Sequence, residues 1–399
     1  MKHILLILTI CLLPTSLWAG RHTYAEQSVL REGKVVKIRI SQTGVHAITY
    51  NELKDWGLQP DKVRVLGYGG TMLSENFTKH KWDDLPSVPF YMHKGADGVF
   101  NQGDYILFYA QGVIGWQYAA GKWHHTRNPY SDYGYYFLSD AAGDQRLIAT
   151  SQPINSTNAH EVNWFTDYQL HEVEKVNLID KTGVSGGGRE FYGEALQGSN
   201  LTLKVTFSTP HLLTSKPITC VAHVAATSSA LSQFTMELSG EQTTCPLAGI
   251  PTSDFYTKAE CDSIVLSVNA TNTNNKQTVT MRYASSGSAA VGYLNYIELN
   301  APSELVMRGN QLAISNTHYL SQPRPTRFVM SNATSSTQVW CVTDGVNIEQ
   351  MPTTLTQGTL SWVGSNQQAE KYVAVNVDTD EWLQPYYVGE VKNQNLHAL

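Results

Sequence analysis

The sequence has few charged residues, and after its first 19 residues it has no long apolar run. Charged side chains make up 16% of the 399 residues, the formal net charge is −6, and basic residues occur only in scattered pairs. A mildly acidic surface without a basic cluster repels phosphate, so we expect no nucleic-acid partner. No later segment approaches the roughly 20 apolar residues that span a bilayer, so we expect no transmembrane segment in the mature chain.

Cysteine is also scarce, with five in the whole sequence. Cys11 lies inside the N-terminal apolar run, Cys220, Cys245 and Cys261 lie close together, and Cys341 stands apart. No CxxC or Cys–His spacing indicates zinc. In an oxidising compartment two of the three clustered cysteines could form a disulfide and leave an odd thiol. Buried or paired structural cysteines are the expectation against a catalytic or metal-binding role.

Catalytic signatures are missing too. The sequence has no HExxH, no nucleophile elbow and no metal-ligand spacing on a helix. The glycine-rich segment at residues 186–194 lacks the lysine and the following helix of a phosphate-binding loop. We therefore assign no catalytic, cofactor-binding or metal-binding residues, and we expect no cofactor.

The first feature that the sequence does contain is a predicted export signal at residues 1–19. Lys2 precedes the apolar run Ile4–Leu13, and a small residue, Ala19, offers a cleavage point. Cys11 leaves a lipoprotein as an alternative, but it lies within the apolar run and not behind it. Removal of this segment takes away Lys2 and lowers the formal net charge to −7.

The mature sequence is rich in tyrosine, with 21 residues, and poor in helical patterns, which favours a mostly β fold. Val35–Ile40 and Val45–Tyr50 flank a Thr43-Gly44 turn and predict a hairpin. Thr49 and Glu52 have capping-box spacing and predict one short helix that runs to Trp56 and is closed by Gly57.

Short alternating runs recur between residues 201 and 299 and predict a β-sandwich with the strand arrangement of a jelly roll. The six predicted strands are Leu201–Phe207, Cys220–Val224, Phe234–Leu238, Ile264–Val268, Thr278–Tyr283 and Gly292–Leu299. Three further β segments follow at Val339–Asp344, Thr359–Val363 and Lys371–Val377. The predicted fold class is thus two or more β-sandwich or jelly-roll-like domains with few short helices.

Three polar features could carry chemistry, and each has a plainer interpretation. Asp83-Asp84 before a proline indicates a solvated turn, because neighbours on a strand face opposite ways. The loop Asp97–Asp104 could hold calcium or be an ordinary turn. His124 and His125 could ligate metal, but adjacent side chains on an extended segment diverge.

The aromatic stretch from Trp116 to Leu138 could be a ligand surface or the edge of an aromatic core, and the core is the commoner case. Cys341 has no histidine nearby in sequence, so we interpret it as a strand residue and not a nucleophile.

The N-terminal motifs resemble those of PorU-type sortases, gingipain-family cysteine peptidases of the type IX secretion system. The resembling segments are Gly69-Gly70, Asp83–Leu85, Asp97–Gly112, Asn128–Asp132, Tyr135–Leu138 and the Gly-Arg-aromatic-Gly-Glu segment that ends at Glu194. Gln394–His397 resembles the linker that precedes the catalytic module in this family. The family usually has Asp where Cys341 stands.

The resemblance implies a division into a signal peptide (1–19), an N-terminal β domain (20–150), a linker and the start of the sandwich (151–200), the sandwich (201–300), a further β segment (301–385) and a linker (386–399). The catalytic Cys-His module of the family would follow this linker and is not part of these 399 residues.

The resemblance implies a non-catalytic scaffold, exported to the outer membrane or cell surface, that pairs with an outer-membrane β-barrel shuttle protein. In full-length members the peptidase removes C-terminal sorting domains from cargo and attaches the cargo to the cell surface. The alternative is a free-standing carbohydrate-binding or adhesin-like sandwich with glycan on Trp116, Trp123 and Tyr293. A self-contained hydrolase has the least support.

Overall fold

The computed structural model describes residues 24–76, 78–79, 82–178, 189–254, 256–271 and 274–398. The predicted signal peptide and Gly186–Gly188 lie outside these residues. The described part of the chain contains no helix that is both long and apolar enough to cross a membrane. The mostly β fold class is confirmed, since about 49% of residues are in strands and 3% in helices.

One α-helix, α1, covers Tyr50–Asp55, and short 3-10 helices cover Pro60–Lys62 and Leu396–Ala398. The strands are β1 (Val35–Ile40), β2 (Gly44–Thr49), β3 (Arg64–Leu66), β4 (Ser87–Val88), β5 (Phe90–His93), β6 (Tyr105–Ala110), β7 (Ile114–Ala119), β8 (Lys122–Arg127), β9 (Gly134–Ser139), β10 (Ala149–Thr150), β11 (His160–Val162), β12 (Trp164–Glu172), β13 (Ala195–Leu196), β14 (Thr202–Ser208), β15 (Pro217–Thr227), β16 (Ser232–Leu238), β17 (Glu241–Leu247), β18 (Glu260–Asn269), β19 (Lys276–Ser285), β20 (Val291–Glu304), β21 (Gln311–Asn316), β22 (Thr326–Met330), β23 (Thr337–Cys341), β24 (Glu349–Gln350), β25 (Thr354–Thr356), β26 (Thr359–Gly364), β27 (Glu370–Asn376) and β28 (Tyr386–Glu390).

The N-terminal region is built from a five-stranded sheet, β28-β1-β9-β3-β4, and a three-stranded sheet, β2-β6-β5. Ile38 of the first sheet and Phe108 of the second belong to one buried cluster, so the two sheets face each other. The predicted hairpin is therefore wrong: β1 and β2 both exist, but β1 pairs with β9 and β28, whereas β2 pairs with β6. Residues 41–43 carry the chain from one sheet to the other, which lets both apolar strands bury side chains in the shared core.

The short helix is confirmed with its predicted cap. The Thr49 hydroxyl accepts the backbone N–H of Glu52 at 3.2 Å, and a Glu52 carboxylate oxygen accepts the backbone N–H of Thr49 at 2.8 Å. Gly57 follows with φ +79°, the left-handed conformation that ends helices most readily with glycine.

The sandwich consists of the sheets β12-β20-β15-β18, which β13 joins through β20, and β14-β19-β16-β17. The six predicted strands all occur, and their inward residues, such as Ile218, Phe234 and Leu299, form one buried cluster. Strand β17 was not predicted because only Cys245 and Leu247 in it are buried. It pairs with β16 across Ser239-Gly240, whose φ values of 52° and 87° suit a tight hairpin turn.

The third region contains the sheets β10-β24-β23-β27-β21 and β11-β22-β26-β25. The three β segments predicted between residues 339 and 377 are confirmed as β23, β26 and β27. One face of this region packs on the N-terminal region, since Ala47 and Leu107 share a buried cluster with Trp340 and Val373. The boundaries at residues 150, 200, 300 and 385 stay predictions.

Candidate functional site

The hairpin formed by β7 and β8 lies against the sandwich, and side chains of β20 occupy the open edge of β8. The Asn300 carboxamide accepts from the backbone N–H of Trp123 at 2.7 Å and donates to the Trp123 carbonyl at 3.0 Å. Two residues along β20, a Glu298 carboxylate oxygen accepts the backbone N–H of His125 at 2.7 Å. These bonds satisfy backbone groups that would otherwise be unpaired at a strand edge.

The same carboxylate brings the two adjacent histidines together. Nδ1 of His124 lies 2.9 Å from Glu298 Oε2, and Nδ1 of His125 lies 2.7 Å from Oε1. Adjacent side chains on an extended strand were expected to diverge, yet both Nδ1 atoms reach the one carboxylate of Glu298, and the prediction that the two histidines do not share a metal site stays untested. The Glu298 side chain is only 1% exposed.

A second carboxylate extends the arrangement. Glu172 on β12 lies 3.4 Å from Nε2 of His125 and 3.2 Å from Nη1 of Arg127. We call His124, His125, Arg127, Glu172 and Glu298 the His–Glu cluster. Two carboxylates face one arginine and two imidazoles, so a protonated His125 balances the buried charge.

Electrostatics support this protonation state. Burial lowers the pKa of His125, but hydrogen bonds to Glu172 and Glu298 outweigh burial and raise this pKa to about 9. Burial raises the pKa of Glu298, and its bonds to His125 outweigh that effect and lower it. In the described part of the chain no group of three or more His, Cys, Asp or Glu side chains is arranged to hold a metal ion. The His–Glu cluster therefore joins the hairpin to the sandwich by charge.

The last described residues are fixed to the first. Strand β28 pairs antiparallel with β1, and the backbone N–H of Val391 donates to the Val35 carbonyl at 2.8 Å. The Asn395 side chain then accepts the backbone N–H of Ser28 at 2.8 Å, and the Asn393 side chain donates to the Gly33 carbonyl at 2.9 Å. The segment that resembles a family linker is thus held along the N-terminal region in this structure.

Asp83 and Asp84 help to hold the first residues. The Asp83 carboxylate accepts the backbone N–H of Ala25, and that of Asp84 accepts the backbone N–H of Val29 at 2.6 Å. Both aspartates lie in a bend and are half-buried, so the turn is only partly solvated. They act as acceptors for a distant segment, which the sequence pattern did not indicate.

Next to these contacts the chain exposes apolar side chains. Tyr386, Tyr387 and Val388 on the edge strand β28 are 56%, 48% and 49% exposed, and Leu396 is 67% exposed. The Tyr387 ring stacks on Trp56 with centroids 5.4 Å apart, which fixes part of the surface. We call Tyr386, Tyr387, Val388 and Leu396 the terminal apolar surface. Exposed apolar side chains on an open strand edge are typical of contact surfaces.

The aromatic residues proposed as a glycan platform are mostly buried. Trp123 is 2% exposed and Tyr293 7%, so the platform interpretation is wrong at both residues. Trp123 packs against Tyr118 and Tyr168, with ring centroids 5.6 and 5.0 Å away, and belongs to the contact between hairpin and sandwich. Trp116 is half-buried and lies 4.6 Å from the Tyr168 ring.

The Asp97–Asp104 loop uses its carboxylates internally. Asp97 accepts the backbone N–H of Val99 at 3.0 Å, and Asp104 accepts those of Gly95 and Asn101 at 2.8 and 2.7 Å. The hydrogen bond from Val99 is the main reason that the pKa of Asp97 is lowered. This pattern is that of a plain turn, and calcium binding to it stays untested.

The cysteines outside the signal segment are free thiols in the structure. Cys220 is buried, with its sulfur 3.6 Å from that of Met236, and burial raises its pKa to about 12. Cys341 on β23 lies 3.4 Å from the Thr343 hydroxyl, and burial raises its pKa as well. A raised pKa leaves little thiolate, which fits strand residues and not a nucleophile.

No protein-family model matches the sequence, and no curated protein matches it. The structure is similar to the crystal structure of dimeric latent PorU from Porphyromonas gingivalis, with a TM-score of 0.82 and 26% identity. The match covers 94% of this chain and 34% of that one, so the chain spans about a third of the length of the PorU structure. The predicted resemblance to a PorU-type region is confirmed.

A second similar structure is the CBM36-1 domain of a multidomain xylanase from the hindgut metagenome of Trinervitermes trinervoides. Its TM-score is 0.22 at 11% identity, over 33% of this chain and 96% of that domain. So low a score carries no argument about carbohydrate binding.

Proposed function

We propose that this chain is the β scaffold of a PorU-type sortase of the type IX secretion system, and that it holds and orients a gingipain-like cysteine peptidase module. The observation that carries the proposal is the similarity to PorU over 94% of the chain at a TM-score of 0.82. Removal of C-terminal sorting domains from cargo and attachment of the cargo to the cell surface would be the work of that module.

The contacts between the two ends of the described chain support the scaffold role. Because β28 is bonded to β1 and Asn395 to Ser28, a module attached beyond residue 398 would start from a fixed point and not from a free tether. The terminal apolar surface lies in the same segment and offers a place for that module to pack. A defined starting direction reduces the conformational freedom that the module loses when it docks.

The proposed location is the outer membrane or cell surface, with a β-barrel shuttle protein and other secretion components as partners. The export signal predicted at residues 1–19 supports this location.

A first test is the DNA downstream of the Leu399 codon, where we expect a gingipain-like reading frame. The second is co-purification of residues 20–399 with the product of that frame, expressed as a separate tagged protein. We expect the two to co-elute, and we expect Tyr386→Asp to weaken the complex. Tyr256→Asp is the matched control, because Tyr256 is 94% exposed and lies in the sandwich region. Absence of such a frame, or a frame whose product never associates, would refute the scaffold proposal.

A further inference from the structure

A cavity of about 540 Å³ lies where the three regions of the chain meet. Tyr109 and Gln111 come from the N-terminal region, Trp116 from the hairpin, Tyr168 from the sandwich and Lys371 from the third region. A second cavity of about 320 Å³ adjoins it, since Tyr109, Tyr168 and Lys371 line both. The combined space has the size of a small-molecule site, a few hundred cubic ångströms.

Three polar side chains, those of Tyr109, Tyr168 and Lys371, line both cavities at this junction. Among the described residues, the hydroxyls of Tyr109 and Tyr168 and the ammonium of Lys371 make no hydrogen bond or ion pair. The backbone of Lys371 is fixed, because its N–H donates to the Thr343 hydroxyl at 2.9 Å and its carbonyl accepts the N–H of Val342 at 2.8 Å. None of these three atoms belongs to the fully buried side-chain atoms that lack a hydrogen-bond partner, so each is open to the cavity and available to a ligand.

The charged side chains in the cavity wall indicate which kind of ligand the cavity binds. Asp344 is also in the wall, but its carboxylate accepts the backbone N–H groups of Val346 and Asn347 at 3.2 and 3.1 Å and the Asn347 side chain at 2.9 Å. Among the described residues the Lys371 ammonium has no hydrogen bond or ion pair, whereas the Asp344 carboxylate is hydrogen-bonded, and burial lowers the pKa of Lys371. An ammonium can only donate, and each phenol hydroxyl can donate as well as accept, so the three groups can all donate to the acceptor oxygens of a carboxylate.

We propose that this cavity binds a carboxylate-bearing ligand, with the acid group held by Lys371, Tyr109 and Tyr168. The body of the ligand lies against Trp116, whose ring centroid is 4.6 Å from that of Tyr168 and forms an apolar wall beside the acid site. The carboxylate could belong to the C-terminus of a peptide or to a small organic acid. This inference does not depend on the scaffold proposal.

The test uses purified residues 20–399 and calorimetric titration with N-acetylphenylalanine and, in parallel, with N-acetylphenylalaninamide, which has the same body without the charge. A charge-assisted hydrogen bond predicts about tenfold or tighter binding of the acid. Phenylacetate is a further test ligand. If it binds as tightly as N-acetylphenylalanine, the site takes small organic acids. If only N-acetylphenylalanine binds, the site takes the C-terminus of a peptide.

Lys371→Met should abolish the preference for the acid over the amide, whereas Lys204→Met, at an exposed position on β14, should leave it unchanged. If Lys371→Met does not fold, Tyr109→Phe and Tyr168→Phe keep the ring packing and should each weaken acid binding several-fold. Failure of both acids to bind at millimolar concentration, equal binding of acid and amide, or a preference that survives in Lys371→Met would overturn the proposal.

Discussion

Glu298→Gln should weaken the contact between the β7–β8 hairpin and the sandwich, and the loss of stabilising free energy should be large. The change keeps the shape of the side chain but removes the charge that receives bonds of 2.9, 2.7 and 2.7 Å from His124 and His125. Because the Glu298 side chain is 1% exposed, water does not replace the lost interactions. Removing one partner from a buried ion pair costs about 3–5 kcal/mol, and since the amide can still accept one bond we expect about 3 kcal/mol.

Hydrogen exchange is the suitable measurement, because it reports the opening of this one contact separately from the unfolding of the whole chain. The backbone N–H of His125 is bonded to Glu298 itself, so its exchange reports the opening of this contact. A cost of about 3 kcal/mol corresponds to exchange about a hundredfold faster.

The matched control is Glu237→Gln, which breaks the 2.6 Å pair with Arg282, where the side chains are 36% and 46% exposed. An exposed pair contributes under about 1 kcal/mol, so this variant should change exchange and stability little. An effect of Glu298→Gln below about 1 kcal/mol, or no larger than that of the control, would refute the assignment of the His–Glu cluster as the main contact.

Three other changes test separate parts of the structure. The pKa of His125 is about 9 in the folded chain against an ordinary value of 6.5, so its stabilisation is complete below pH 6.5 and lost as pH rises through 9. The free energy of unfolding, measured in urea, should fall by roughly 3 kcal/mol between pH 6 and pH 10. His125→Gln should make this fall smaller, and an equal fall in both proteins would contradict the assignment. Gly345→Ala should destabilise by about 1–2 kcal/mol in urea unfolding, because φ is +82° and the new Cβ would collide with the side chain of Gln111; a neutral change would show that this turn relaxes. Asn395→Ala should cost about 1 kcal/mol and speed exchange at the backbone N–H of Ser28, whereas unchanged exchange there would mean that the contact is not held in solution.

Local patterns predicted much of the secondary structure. The capping box at Thr49 and Glu52 predicted the helix, because both of its hydrogen bonds form within four residues. Alternation predicted the six sandwich strands, because one face of each is buried in a common core. Strand β17 was missed, since it is paired on one side only and has few buried residues.

Strand partners were less predictable than strands. Val35–Ile40 and Val45–Tyr50 have the spacing of a hairpin, yet each pairs with a strand far along the chain. Tyr386–Glu390 was expected to be linker, and it forms a strand because β1 offers it an edge. An edge of this kind exists only after the sheet has formed.

The sequence by itself determined the β character of this chain, its short helix and the family that its motifs resemble, because these depend on the spacing of neighbouring residues. The tertiary structure alone decided which polar groups meet. Glu298 is more than 170 residues from His124 and His125, and Lys371 is about as distant from Tyr168. Contacts over such separations follow from the packing of whole sheets, and no local pattern of residue types specifies them.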